Sequence, residues 1–139
     1  IRFYHLFNRT KVMEFKTGFE NFYTYALQYL PKRKMIIGRV KEHVIKVWKY
    51  DDERKRVEHH KVINTKGSYP DCIIPNEDET QLLFTSRDQF LETYDFGTDK
   101  ITQCNLSSHI KKTNGLVYLN TLGKVSVCDY TTGKFSILH

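Results

Sequence analysis

Short segments in which apolar residues cluster or alternate with polar ones dominate the chain. The most regular lies at residues 44–50, where Ile45 and Val47 fall on one face of an extended strand and Trp48 and Tyr50 on the other. This period of two is typical of β-strands that pack on both faces. The same arrangement predicts further strands at residues 34–40, 81–85, 90–96, 101–104, 116–119, 124–130 and 135–138.

Polar and glycine-bearing segments separate these predicted strands at the lengths that hairpins need. Residues 41–43, 86–88 and 121–123 each lie between two strands of a pair. Residues 96–100 and 130–134 contain a glycine and lead into a third strand. The pattern therefore predicts antiparallel meanders and an all-β fold class.

One segment offers a competing interpretation. Gly18 interrupts its apolar stripe, and the aromatic run at residues 22–25 favours a strand over a helix. The helical alternative rests on spacings of three and four residues between Val12, Phe15, Phe19, Phe22, Ala26 and Leu30.

An internal repeat organises the predicted strands. The strand–turn–strand unit recurs with a twelve-residue offset between its central strands: Ile36 to Trp48, Leu82 to Tyr94 and Leu116 to Cys128. Successive units begin 46 and 34 residues apart, counted at Ile36, Leu82 and Leu116. A partial fourth copy opens the chain, because residues 4–8 align with residues 47–51. A period near 40 residues is typical of repeat architectures.

The segment at residues 29–37, followed by residues 44–48, resembles a WD40 repeat. It has the hydrophobic-x-Pro turn at residues 29–31 and the aliphatic-x-aliphatic-Trp strand that ends at Trp48. The resemblance implies a β-propeller with about 40–45 residues and four antiparallel strands per blade. It predicts a propeller fragment: two strands of a preceding blade at residues 1–17, then blades at residues 24–64, 69–104 and 109–139.

The chain departs from the family pattern in its polar positions. It has no Gly-His dipeptide, and Trp48 is followed by Lys49 where the family has Asp. We therefore do not expect the family's buried His–Ser–Trp–Asp hydrogen-bond network in its usual form. Three blades and a remnant are too few to close a ring of about 4–8 blades. This shortage and the start at Ile1 suggest a segment of a longer protein.

Composition agrees with a folded β-rich protein. Hydrophobic residues make up 40% of the 139 residues and aromatic residues 14%, which argues against disorder, and Ala26 is the single alanine. No apolar run approaches the length of a membrane span. Cys72, Cys104 and Cys128 form no CxxC pair, so we expect neither a zinc knuckle nor a disulfide framework. This cysteine usage favours an intracellular, cytoplasmic location.

Two clusters have the residue types of a metal site without its spacing. His59 and His60 are adjacent, so a strand directs them to opposite faces, and we interpret them with Glu58 as part of a solvated edge strand. The acidic segment at residues 77–79 lacks the alternating ligands of a calcium loop and fits a turn between the first two strands of a blade. We expect no metal and no cofactor.

The net charge of +6 points to acidic partners. Basic clusters lie at residues 32–34 with Arg39 and Lys41, at residues 54–56 and at residues 111–112. They could contact an acidic protein surface or phosphates, although no aromatic RNA-binding consensus is present. Lysines on edge strands also protect sheets from aggregation.

No catalytic motif of the nucleophile-elbow, P-loop or zincin type occurs. Glu92, Asp95 and Asp129 lie on third strands and could in principle face a propeller channel, but carboxylates at such positions more often hold the turns of neighbouring strands. Cys128 aligns with Trp48, which predicts a buried, inert thiol.

The leading hypothesis is a non-enzymatic protein-interaction scaffold, for which acidic proteins or a cytoskeletal polymer are candidate partners. The alternatives are a propeller that binds RNA or ribonucleoprotein and a propeller enzyme.

Overall fold

The computed structural model describes residues 1–4, 7–16, 25–106, 113–119, 122–129 and 131–138. Every secondary-structure element within these ranges is a β-strand, which confirms the all-β prediction. No helix in the described part of the chain is long and apolar enough to cross a membrane. The strands are β1 (Arg2–Tyr4), β2 (Lys11–Glu14), β3 (Tyr25–Leu30), β4 (Met35–Lys41), β5 (Val44–Asp51), β6 (Arg56–Asn64), β7 (Cys72–Pro75), β8 (Gln81–Thr85), β9 (Phe90–Asp95), β10 (Lys100–Asn105), β11 (Thr113–Leu119), β12 (Lys124–Asp129) and β13 (Phe135–Leu138).

These strands form four separate antiparallel sheets in which chain neighbours pair. Sheet 1 contains β1 and β2, sheet 2 contains β3 to β6, sheet 3 contains β7 to β10, and sheet 4 contains β11 to β13. The predicted hairpins are therefore present, and none of the described sheets closes on itself. The helical alternative fails where it can be compared, because β2 and β3 are strands; residues 17–24 lie outside the described ranges.

The twelve-residue offset holds in two of the three units. Ile36 lies opposite Trp48, and Leu82 lies opposite Tyr94. In sheet 4, however, Leu116 lies opposite Val127, so Cys128 is not the structural equivalent of Trp48. The reason is the loop length: four residues separate the β11–β12 pair at Leu119 and Lys124, whereas five separate the corresponding β8–β9 pair. One residue fewer moves the register by one and exchanges the faces.

The four sheets stack in chain order through three apolar interfaces. Each of sheets 2 and 3 is covered on both faces, because alternate side chains of one strand point to opposite neighbours. The central interface is built from Ile37, Ile45 and Val47 of sheet 2 and Ile73, Leu82, Phe84 and Tyr94 of sheet 3.

The two outer interfaces are smaller. Between sheets 1 and 2, the indole of Trp48 contacts the ring of Phe15 edge to face at 5.6 Å, and Phe3 stacks on Tyr50 at 5.9 Å. Such aromatic pairs stabilise a core beyond the area that they bury. Between sheets 3 and 4, the buried side chains are Leu83, Leu91, Leu106, Leu116, Val125 and Val127.

Candidate functional site

Asp95 and Asp129, two of the three candidate carboxylates, cap hairpins. Asp95 Oδ1 accepts hydrogen bonds from the backbone N–H groups of Gly97 at 3.0 Å and Thr98 at 2.8 Å. Asp129 Oδ1 accepts from the backbone N–H of Thr131 at 2.8 Å. Hydrogen bonds from the backbone N–H of Thr98, the side-chain amide of Gln81 and the Thr98 hydroxyl lower the pKa of Asp95 below its ordinary value. Both side chains thus hold the turn that follows their strand.

The same capped turn occurs in sheet 2, at the start of the charged run at residues 51–56, which the sequence predicts to be a solvated hairpin turn. Asp51 Oδ1 accepts from the backbone N–H groups two and three residues later, at 3.1 and 3.0 Å. In all three hairpins the fourth residue after the aspartate has a left-handed backbone: Lys55 has φ 49°, Asp99 has φ 57° and Gly133 has φ 66°. One hairpin geometry therefore recurs in three successive sheets.

Glu92, the third candidate, is fully buried within β9, three residues before Asp95. Its Oε1 accepts hydrogen bonds from the backbone N–H groups of Lys66 at 3.1 Å and Gly67 at 3.0 Å, and from Gln103 Nε2 at 3.1 Å. Its Oε2 is buried and has no hydrogen-bond partner among the described residues. Burial raises the pKa of this carboxyl above its ordinary value.

Gly67 allows the segment between β6 and β7 to approach Glu92. A Cβ at this position would lie 2.3 Å from Ser86 Oγ and 2.5 Å from Ser86 Cβ, which no real side chain tolerates. The Gly67 carbonyl accepts from Thr65 Oγ1 at 2.8 Å and lies 3.2 Å from His43 Nδ1. The backbone of this linker is therefore packed tightly between sheets 2 and 3.

Further contacts tie this linker, residues 65–71, to the hairpin turns at the same end of both sheets. The backbone N–H and the hydroxyl of Ser68 both donate to Asp88 Oδ2 at 2.6 Å. The backbone N–H of Tyr69 donates to the carbonyl of Glu42 at 2.6 Å. The Ser68 hydroxyl lowers the pKa of Asp88. Backbone and side-chain hydrogen bonds thus join the linker to the turns of both sheets at this end.

Two arginines form ion pairs with one aspartate of the linker at this end of sheets 2 and 3. The nearly buried guanidinium of Arg39 pairs with Asp71, whose other carboxylate oxygen lies 3.2 Å from Arg87 Nε. The ring centroid of Tyr69 lies 5.6 Å from the Arg39 guanidinium and 4.5 Å from that of Arg87. Arg39 was predicted as part of a basic surface cluster; in the structure it is engaged between the sheets.

The basic cluster at residues 32–34 is likewise used in part for packing. The backbone N–H of Arg33 donates to Glu79 Oε2 at 3.0 Å, and its guanidinium donates to the Glu79 carbonyl and lies 4.4 Å from the Phe96 ring centroid. Lys32 Nζ donates to the carbonyl of Glu77 at 2.7 Å. The acidic segment 77–79 therefore lies in the β7–β8 turn, as predicted, and anchors sheet 2 to sheet 3.

The second basic cluster is exposed and paired within its own hairpin. Arg54 Nε lies 3.7 Å from Asp51 Oδ2, and Arg56 Nε lies 2.9 Å from Glu58 Oε1. Exposed pairs of this kind contribute little to stability. The third cluster, Lys111 and Lys112, lies outside the described residues.

His59 and His60 lie on β6, which is an edge strand of sheet 2, as predicted. His59 is exposed and His60 half-buried, and burial lowers the pKa of His60. Within the described ranges, no three His, Cys, Asp or Glu side chains come close enough together to hold a metal ion.

The three cysteines are free thiols in different environments. Cys104 is exposed, whereas Cys72 and Cys128 are half-buried. Burial raises the pKa of Cys72. The expectation that Cys128 is buried at the Trp48-equivalent position is wrong, because the shorter β11–β12 turn places Val127 there and turns Cys128 to the other face.

A cleft of about 410 Å³ beside β6 contains a triad that the sequence pattern did not reveal. Lys61 Nζ donates to the Tyr94 hydroxyl at 3.0 Å and pairs with Asp99, which also accepts from Tyr94. Burial raises the pKa of Tyr94, and the Asp99 hydrogen bond raises that of Lys61. Neither group is therefore activated as a base or a nucleophile at neutral pH. Only the packing of two sheets joins residues so distant in sequence.

No family model matches this chain, and no curated protein matches it either.

Proposed function

We propose that the chain is a WD40-like β-propeller segment that serves as a non-catalytic scaffold for protein–protein interaction. The observation that carries the proposal is the stack of antiparallel meanders in which one capped hairpin recurs after Asp51, Asp95 and Asp129. Repetition of one sheet unit that covers the faces of its neighbours is the physical basis of a propeller. In this proposal residues 1–17, 24–64, 69–104 and 109–139 are successive blades or parts of them.

The use of the polar side chains supports a structural over a catalytic role. Asp95 and Asp129 cap turns, Glu92 holds the linker, and Tyr94 is locked between Lys61 and Asp99. A general base or nucleophile needs a free lone pair near a site that substrate can reach. In each of these groups the reactive atoms are used for internal hydrogen bonds or are buried.

The charge balance supports acidic partners, because basic residues outnumber acidic ones by six. A fluorescence-anisotropy titration tests this part of the proposal. The probes are a labelled glutamate 20-mer peptide and a labelled uridine 20-mer RNA, each titrated with the chain at several salt concentrations.

We expect the peptide to bind and its affinity to fall moderately with salt. Binding of RNA alone, with a log–log salt slope of about −0.7 per neutralised phosphate, would support the RNA-binding alternative instead. Absence of binding to both probes would contradict acidic partners of either class. A scrambled glycine–serine peptide of the same length is the control for non-specific adsorption.

A further inference from the structure

The cleft beside β6 holds a carboxylate that the chain itself supplies. We name it the β6 cleft; it is lined by residues 61–64 of sheet 2 and by Tyr94, Asp99 and Ile101 of sheet 3. The Asp99 carboxylate accepts hydrogen bonds from the Lys61 ammonium and from the Tyr94 hydroxyl. The β6 cleft is therefore a place where two positioned donors bind one carboxylate.

The donors lie deeper in the cleft than the carboxylate that they bind. Tyr94 is 3% exposed, and the Lys61 side chain is 25% exposed. The Asp99 side chain is 67% exposed and comes from the turn between β9 and β10. An ion pair with so exposed a partner contributes little to stability, so replacing the Asp99 carboxylate by another one costs little free energy.

The turn itself does not require an aspartate at this position. The equivalent left-handed residues of the other two capped hairpins are Lys55 and Gly133, so the same turn forms around a cation or without a side chain. The contacts of the Asp99 carboxylate are instead with Tyr94 and with Lys61, 38 residues earlier in the chain. This carboxylate occupies the cleft in the way that the carboxylate of a ligand would.

The walls of the cleft favour a peptide over a nucleic acid. Val62 is 43% exposed and Ile101 is half-buried, so aliphatic side chains find apolar surface next to the ammonium of Lys61. Single-stranded nucleic acids bind largely by stacking their bases on aromatic rings. The ring of Tyr94 is buried and offers no such platform.

We propose that the β6 cleft binds an acidic segment of a partner protein, with a glutamate or aspartate carboxylate in the place of Asp99. Lys61 and Tyr94 then donate to the partner's carboxylate, and Asp99 is an internal competitor that the partner displaces. An aliphatic neighbour of the bound carboxylate packs against Val62 and Ile101. This inference rests on the proposed scaffold for acidic partners and adds where such a partner binds.

Fluorescence anisotropy of variants of the whole chain tests the site. The probe is a labelled peptide of four Glu-Leu-Glu-Ser repeats, which carries carboxylates beside aliphatic side chains. We expect Asp99→Asn to bind it ~2- to 5-fold more tightly than wild type, because the competing ion pair is gone. Asparagine tolerates the left-handed backbone of this position. Lys61→Gln should weaken binding by ~10-fold or more, since it removes the charged donor.

Two control variants make the same changes of charge outside the cleft. Asp78→Asn neutralises an exposed aspartate of the β7–β8 turn, and Lys66→Gln neutralises an exposed lysine of the linker. Neither residue lines the β6 cleft, so each should change the affinity less than the corresponding cleft variant does. Far-UV circular dichroism should show equal folding of all four variants.

The outcomes separate this inference from the scaffold proposal. Binding of the peptide that each cleft variant changes no more than its control does would overturn the β6 cleft and leave acidic partners in place. Absence of binding by both wild type and Asp99→Asn would also overturn it. If Asp99→Asn tightened binding of the uridine 20-mer but not of the peptide, the cleft would be a phosphate site instead. Binding by Asp99→Asn alone would support a cleft that Asp99 masks.

Discussion

Two carboxylates of strand β9, three residues apart, lie in opposite environments. Glu92, in the interior of the strand, is fully buried, accepts three hydrogen bonds on one oxygen, and has its pKa raised by burial. Asp95, the last residue of the strand, leads into an exposed turn and has its pKa lowered, chiefly by the backbone N–H of Thr98. The comparison shows that a carboxylate joins sheets at a desolvation cost, whereas it holds a turn almost without one.

The largest expected effect comes from the linker that covers Glu92. Gly67→Ala places a Cβ 2.3 Å from Ser86 Oγ, so either the linker or the turn that follows β8 must move. We expect a loss of about 2–3 kcal/mol in the free energy of unfolding, as for other overpacked sites. Urea denaturation followed by tryptophan fluorescence measures it.

The matched control is Gly97→Ala at the Asp95 end. There the nearest atom to the new Cβ is Asp95 Oδ1 at 3.3 Å, on a side chain that can adjust. We expect a much smaller loss than at Gly67. Equal losses at the two glycines would show that the linker is not packed as tightly as the contacts indicate.

The next effect concerns the three donors at Glu92. Glu92→Ala leaves the backbone N–H groups of Lys66 and Gly67 and the Gln103 amide without their acceptor. A buried donor that loses its partner, as the Gly67 N–H would, costs about 1–3 kcal/mol, and the part-buried Lys66 and Gln103 donors cost less because water can reach them; removal of a buried carboxylate offsets part of this loss. We expect a net loss of about 1–2 kcal/mol, measured by the same urea titration. A gain in stability would mean that desolvation outweighs the hydrogen bonds.

Glu92→Gln separates charge from hydrogen bonding. Because burial raises the pKa of Glu92 in the folded state, its favourable contribution is complete below the unfolded pKa and is lost as pH rises through the folded pKa. Glutamine keeps an acceptor and does not titrate. We therefore expect the wild type to lose stability relative to Glu92→Gln as the pH rises above the ordinary pKa of a glutamate and through the raised pKa of the folded state. Urea denaturation of both proteins at several pH values measures this change, and a stability difference that does not vary with pH would contradict the prediction.

Sequence reasoning located most strands because each is defined by local alternation and a turn. It placed β8 and β13 at their observed bounds. It misplaced Cys128 because a turn shortened by one residue changes the register without changing the apolar pattern. The β11–β12 loop length was the signal that could have corrected this assignment.

The polar contacts were harder to predict than the strands. Arg33 and Glu79 are 46 residues apart, and Glu92 is buried by a linker that comes 25 residues earlier in the chain. Such contacts form only where two sheets pack against each other, and the local sequence pattern of each strand does not determine how the sheets are stacked. The three aspartate caps are the exception, since each is followed by its own turn.

The smallest expected effect is at the exposed end of β9. Asp95→Ala removes the acceptor for the backbone N–H groups of Gly97 and Thr98, but water can replace it there. Because the pKa of Asp95 is lowered, its contribution is present above the unfolded pKa and is lost as pH falls through the folded pKa. The difference in the free energy of unfolding between wild type and Asp95→Ala should therefore become smaller as the pH falls. For Glu92→Gln the wild type should instead lose stability relative to the variant as the pH rises. If both differences moved the same way with pH, burial would not be what distinguishes the two carboxylates.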